Sequence, residues 1–330
     1  MLRSTKYPRL GNKLGLSYKS VNPVVISAAP ATPTWYGTNT KGFSIGGAGG
    51  GNVADKATFS TETTAAQTSA NLTAGRAQIS SGGNDTQAYY IGGTDASDVS
   101  QTSANKLTHS NDTMASNTSA ALPAARSGIL AAVYTTANYS YGGSAGANSN
   151  DQSAAYKTTY SNDTTAAQTS ANLATGRASG MTLSSDTAAM YFGGFRNVPS
   201  GFTQQTIADK MPFSTETSAN NTSLALPTAR AYGNYGSINS TLNTKGYLSA
   251  SNTTNTFTKV TYSTDTASNL AATGIQQGSG MSSTTIGYTL GGYTTTQVVT
   301  AYKFTVSSET SATISAMNKS VAKSQSAGCC

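Results

Sequence analysis

An eight-residue phrase occurs six times in this chain, and no other feature constrains the fold as tightly. Its pattern is Lys, two variable residues, an aromatic or apolar slot, Ser, one variable residue, an acid and Thr. It reads KATFSTET from Lys56, KLTHSNDT from Lys106, KTTYSNDT from Lys157, KMPFSTET from Lys210, KVTYSTDT from Lys259 and KFTVSSET from Lys303. Successive copies start 44 to 53 residues apart. A period of that size means one supersecondary unit per copy, each burying its apolar face against its neighbours.

Two further markers keep register with the phrase. An apolar or aromatic run closed by Gly-Gly precedes it: FSIGG at 43, YYIGG at 89, YSYGG at 139, MYFGG at 190 and YTLGG at 288, with a degenerate YLSAS at 247. A third marker follows it: NLTAGR at 71, LPAAR at 122, NLATGR at 172 and LPTAR at 226, the arginine being lost in NLAATGI at 269. From Lys to Arg is 20 residues in each of the first four copies, which places Arg76, Arg126, Arg177 and Arg230 at one structural position.

Each unit reads as four short strands. The Arg-led segment is the first and the run into Gly-Gly the second, glycine allowing a sharp turn or a close backbone approach. The Lys phrase is the third. Ala57, Leu107, Met211, Val260 and Phe304 share a face with the aromatic slot two residues on. The Ser-x-acid-Thr that follows suits a turn, because these side chains bond nearby backbone amides. The TSAN-type segment at 68–71 and its counterparts is the fourth. No stretch carries a sustained 3.6-residue apolar period, so almost no helix is expected.

Four strands per unit, repeated about every 50 residues, describe a propeller blade. The order of markers resembles the kelch repeat over roughly residues 31–317, although the Trp that kelch blades usually carry after the acidic turn is missing. The expectation is an all-β, six-bladed kelch-like propeller preceded by a basic extended arm over 1–30 and followed by a C-terminal tail over 318–330. A linear solenoid is the alternative; radial closure is preferred because it hides strand edges.

The formal net charge is +7, from 20 bases and 13 acids. Five of the bases, Arg3, Lys6, Arg9, Lys13 and Lys19, fall in residues 1–30, where there is no acid. The body is therefore nearly neutral, which argues against nucleic-acid binding. The arm reads as an anchor onto an acidic partner surface. The two cysteines, Cys329 and Cys330, are adjacent and terminal, so neither a disulfide framework nor a zinc pattern is available. The run PVVISAAP at 23–30 is too short for a signal core or a membrane span.

Candidate chemistry is sparse, and neither cofactor nor metal is expected. His109 is the sole histidine, and it fills the slot held elsewhere by Phe59, Tyr160, Phe213, Tyr262 and Val306, which makes it a packing residue. Six of the acids are the repeat residues Glu62, Asp112, Asp163, Glu216, Asp265 and Glu309. With Lys56, Lys106, Lys157, Lys210, Lys259 and Lys303 they are expected to latch blades or turns together, a role extended to the four repeat arginines. Asp85, Asp95, Asp98, Asp151 and Asp186 lie in loops, with no calcium-loop pattern around them. The Gly-rich AGGGN at 48 lacks the Lys-Ser/Thr of a phosphate loop. The loop after the fourth Gly-Gly is the longest and carries Phe195, Arg196 and Phe202, side chains suited to gripping a sugar ring or a protein knob.

The chain looks extracellular yet shows no export signal, and its Thr/Ser/Asn/Gly richness is similar to that of phage appendage proteins. The expected function is that of a non-enzymatic structural or adhesive virion protein, a tail fibre, tail-associated adaptor or decoration. It would bind other virion proteins through the arm and a host surface glycan or protein through its loops, with no membrane insertion. A sialidase-like propeller enzyme and an intracellular kelch interaction module are the alternatives. Fold alone decides among none of them.

Overall fold

A computed structural model describes residues 40–49, 51–146, 151–198, 201–231, 238–239, 244–249, 256–273, 275–283 and 285–329. The expected arm, with Arg3, Lys6, Arg9, Lys13 and Lys19, lies outside the described residues, as do Cys330 and most of the loops of the fifth unit.

The described chain is a six-bladed β-propeller of four antiparallel strands per blade. The second blade shows the plan. Ser80–Gly83 is innermost, then come Gln87–Ile91, Ala104–Thr108 and Thr113–Ser116, so chain order is spatial order. The Arg-led segment, the run into Gly-Gly and the Lys phrase are thus the first three strands. The fourth strand is the segment just after the acid. The TSAN-type segment instead forms a 3₁₀ turn, at Thr68–Ala70, Thr118–Ala120 and Thr169–Ala171, whose last alanine is buried. That alanine must point inward while the chain crosses to the next blade, which an extended strand would not allow.

The innermost strands pack one against the next in order around the channel: Ala327–Cys329, Ser80–Gly83, Leu130–Val133, Met181–Ser184, Ile238–Asn239 and Ser279–Ser282. The first of these corrects the expected tail. Residues 327–329 pair antiparallel with Lys41–Ile45 and supply the innermost strand of the first blade, Phe43 opposite Cys329 and Ile45 opposite Ala327. NKSVAKSQSAG at 318 is therefore another copy of the third marker, with Lys323 standing where Arg76 stands in NLTAGRAQISSGG. A ring made from one chain has a seam, and strands from both ends of the repeat array close it.

The channel is narrowed by a collar of backbone. Gln78, Gly128, Ser179, Gln277 and Gln325 each lie two residues beyond the Arg position, and each has φ between 53° and 61°. The N–H of Gln78 donates to the carbonyl of Gln325, Gly128 to Gln78, Ser179 to Gly128 and Gln325 to Gln277, at 2.7–3.2 Å. The left-handed conformation turns each amide toward the equivalent carbonyl of the preceding blade.

Antiparallel alternation gives the propeller two distinct faces. On one lie the turns between first and second strands and the turns that carry the repeat acids. On the other lie the loops after Gly-Gly and the crossings into the next blade. At Gly93 (φ +95°) a Cβ would come within 2.4 Å of the Ala77 carbonyl, so the close approach of loop and crossing requires glycine there.

Candidate functional site

The repeated charges are committed to the ring. Each repeat lysine pairs with the acid of the following blade, not with the acid six residues on in its own copy. The pairs are Lys56–Asp112 (2.6 Å), Lys106–Asp163 (2.7 Å), Lys157–Glu216 (2.5 Å), Lys210–Asp265 (2.7 Å), Lys259–Glu309 (3.0 Å) and Lys303–Glu62 (2.5 Å). Opposite each lysine on the second strand stands the residue that opens the Gly-Gly run. In four blades this is a tyrosine, and Tyr89, Tyr139, Tyr247 and Tyr288 donate to the same acid as their lysine. Where it is Phe43, Lys41 also binds Asp112; where it is Met190, Asn221 also binds Asp265 at 3.1 Å. Every acid occupies a left-handed turn position, with φ from 49° to 56°.

Partial burial pushes Asp112, Asp163, Glu216 and Glu309 up, but the lysine partners, and a tyrosine in all but Asp112, outweigh it and hold them below their usual range. The aromatic slot then stacks on the latch residue of the preceding blade: Phe59 on Tyr288, His109 on Phe43 and Tyr160 on Tyr89, with ring centroids 5.2–5.9 Å apart. His109 is thus a packing residue, and burial, with help from Lys41, pushes it down to about 4.

Three repeat arginines are fully buried and hydrogen-bonded through their terminal nitrogens, while Nε of Arg76 and of Arg230 has no partner among the described residues. Arg76 donates to the carbonyls of Gly92 and Ser103 and to Asn105 Oδ1. Arg177 donates to the Gly193 carbonyl and pairs with Asp209 at 2.6 Å. Arg230 donates to the Thr256 carbonyl and Asn269 Oδ1. In the blade that follows Arg126, Tyr156 holds the sequence position of Asn105 and Asp209, and Arg126 donates to the Ala125 carbonyl and to Gln152 Oε1 at 3.4 Å. The arginines tie crossing to blade, a different task from the lysine latches.

On the opposite face a cavity of about 330 Å³ opens at the channel mouth. Its floor is the collar at Gln78, Gly128 and Ser179, and Phe195, Phe202, Asp98 and Asp151 stand around it. The loop after the fourth Gly-Gly forms a hairpin, Phe195–Val198 with Gly201–Gln204. Phe195 pairs with Ala178 at the mouth through two backbone hydrogen bonds of 2.7 and 3.0 Å. Phe195 lies opposite Gln204, and Phe202 lies opposite Asn197. The two phenyl rings therefore share one side of the hairpin and meet edge-on at 6.2 Å. Arg196 lies opposite Thr203 on the other side, so the three expected recognition residues divide into an aromatic pair and a separate cation.

Asp151 accepts from the Asn197 amide, which ties the hairpin to the third blade; its carboxyl is raised by burial, opposed by that bond and by Arg196. The Asp98 side chain has no partner among the described residues. Of the remaining loop acids, Asp95 bonds its own loop through Ser97, Val99 and Gln101, while Asp85 and Asp186 lie in first-to-second-strand turns on the far face.

Among the described residues, the exposed large apolar side chains are Val99, Phe202, Tyr293 and Val321, and all four lie on the Gly-Gly face. Among the described residues no group of three or more His, Cys, Asp or Glu could hold a metal ion, and no helix is long and apolar enough to cross a membrane. No protein-family model matches the chain, and no curated protein matches it.

Proposed function

We propose that this propeller is a non-enzymatic adhesive or structural protein of a phage particle, built on kelch-type repeats. It serves as a tail fibre, tail-associated adaptor or decoration. In this reading residues 1–30 anchor it to other virion proteins and the Gly-Gly face meets a host surface. The observation that carries the reading is the one-sided distribution of exposed apolar side chains. Val99, Phe202, Tyr293 and Val321 share the face that holds the channel-mouth cavity, and no exposed large apolar side chain is described on the opposite face. The loops of that face also vary most between copies, as recognition loops on a rigid scaffold do.

The arrangement of the arginines favours adhesion over the sialidase-like alternative. A site for a carboxylated sugar needs a cluster of available guanidiniums, and Arg76, Arg177 and Arg230 are buried with their terminal nitrogens on carbonyls, amide oxygens and Asp209.

The proposal is tested by mass spectrometry of purified particles from the source of this sequence, followed by attachment assays with Phe202→Ala and Arg196→Ala. Both side chains are exposed, so the melting temperature should hold while attachment falls. Absence of the chain from particles, or unchanged attachment by both variants, overturns the reading. Deleting residues 1–20 should leave a folded propeller that no longer incorporates.

A further inference from the structure

Resting on that assignment of the Gly-Gly face, we infer that the channel-mouth cavity binds a saccharide end that carries no anion. Three properties of the cavity point to this class of ligand.

The first is size. A cavity of about 330 Å³ falls at the lower end of the range of about 300–1,000 Å³ for small-molecule sites. That volume suits a sugar end.

The second is the lining. Thr94, Ser127, Ser144 and Ser179 bring hydroxyls, and Gln78 on the collar brings an amide. Such groups give and accept hydrogen bonds at close spacing, as a polyol requires. The Asp98 carboxylate has no partner among the described residues and offers strong acceptors for sugar hydroxyls. Beside this polar floor stand Phe195 and Phe202. A ring with one apolar face of C–H groups and an edge of hydroxyls matches both halves of the site. The collar makes the floor stiff, so little ordering accompanies binding.

The third is charge. Asp98 and Asp151 both line the cavity, and no Lys, Arg or His is among its described lining residues. Arg196, the nearest loop cation, lies on the opposite side of the hairpin from the two rings. A sialic acid, a sulfated sugar or a phosphorylated polymer would place an anion beside two carboxylates, and no described lining residue supplies a base, the charge of Arg196 already being set against Asp151. The cavity therefore selects hydroxyls over anions.

Methyl glucoside, methyl galactoside and methyl mannoside are the probes, titrated into the full chain by calorimetry or saturation-transfer NMR. 3′-Sialyllactose serves as the anionic comparison. At least one neutral glycoside should bind saturably and more tightly than 3′-sialyllactose. Phe202→Ala and Asp98→Asn should each weaken it by about tenfold or more. Both residues are exposed, so unchanged melting temperatures show that folding is not the cause. Tighter binding of 3′-sialyllactose than of every neutral glycoside overturns the exclusion of anions. Binding that ignores both substitutions overturns the choice of cavity. Failure of all the sugars at tens of millimolar overturns the saccharide class. In that case, host attachment that still depends on Phe202 leaves the adhesive role standing, and attachment that does not overturns both.

Discussion

Lys303 of the sixth blade reaches Glu62 of the first at 2.5 Å, the same contact that every other blade makes with its successor. The sixth copy of the phrase thus completes a circle of side-chain latches that begins with the first. Tyr288 donates to the same carboxylate at 3.1 Å. The pair is about 30% exposed at each partner, so its role is to set the angle between blades more than to supply large stabilisation. Lys303→Met and Glu62→Gln should each lower unfolding free energy by about 1 kcal/mol or less, with a coupling energy of roughly 0.5 kcal/mol in a double-mutant cycle. Chemical denaturation checks this, and a coupling above about 2 kcal/mol would show that the latch drives closure.

His109 gives the propeller an early acid transition. Burial lowers its pKa from 6.5 to about 4. A group depressed in the fold contributes stability that is complete above the unfolded value and lost as pH falls through the folded one. The window is therefore pH 6.5 to about 4. The latch carboxylates Asp112, Asp163, Glu216 and Glu309 are also held down, and their contribution is lost at lower pH still. His109→Phe, which copies Phe59 and Phe213, should remove the upper phase and leave the lower one. Thermal melts between pH 7 and pH 4 read the difference, of order 1–3 kcal/mol; parallel curves for the two proteins would refute it.

Lys319 occupies a slot built for leucine. Leu72, Leu122, Leu173 and Leu226 each pack against the first glycine of a Gly-Gly pair, and the Lys319 side chain takes that place against Gly291. Only 6% of it is exposed, and burial lowers it from 10.5 to about 8, with Asp55 opposing and Lys323 adding. Its contribution is complete above 10.5 and lost as pH falls through 8, so at neutral pH the charged side chain carries the full penalty. Lys319→Leu gives up a 2.7 Å bond to Ser326 Oγ, worth about 1 kcal/mol, and should still gain about 1–2 kcal/mol at pH 7. The gain should shrink as pH rises toward 10. A variant that melts lower at pH 7 would mean that the Ser326 bond outweighs the desolvation.

Removal of the last innermost strand should break the ring. Truncation after Lys323 leaves the edge of Phe43, Ser44 and Ile45 unpaired and takes the Cys329 thiol from Tyr90 Oη, 2.6 Å away. The truncated chain should be insoluble or melt well below the parent, and a synthetic peptide covering 318–330 should restore part of the loss. Equal melting temperatures would show that the seam is dispensable.

The blades were legible because their signal is repetition, which survives loss of individual markers in the fifth copy. The latches were legible as residues but not as pairs: one period of the sequence cannot tell whether Lys56 meets Glu62 in its own copy or Asp112 in the next. The seam escaped because two of its identifying residues are changed, Lys319 for leucine and Lys323 for arginine, although Asn318 and Gln325 keep the register of Asn71 and Gln78. The fourth strand was displaced by a few residues because Thr-Ser-Ala suits a strand and a 3₁₀ turn equally. At the candidate site, sequence located Phe195, Arg196 and Phe202 in one loop, but only the hairpin register separates Arg196 from the rings. Asp98 and Asp151 sit in other blades, where no local pattern marks them as neighbours of that hairpin.

The seam also determines how this molecule carries force. The described chain enters the first blade at Lys41–Ile45 and leaves it at Ala327–Cys329, and the two strands run antiparallel side by side. Tension applied between Lys41 and Cys329 acts on neighbouring strand ends, so the hydrogen bonds yield one after another, as a zipper does. Tension applied between Lys41 and the Gly-Gly face spreads through second and third strands in parallel and leaves Ala327–Cys329 unloaded. A particle tethered through the start of the first blade and gripping with the Gly-Gly loops would pull along the strong direction of its own fold.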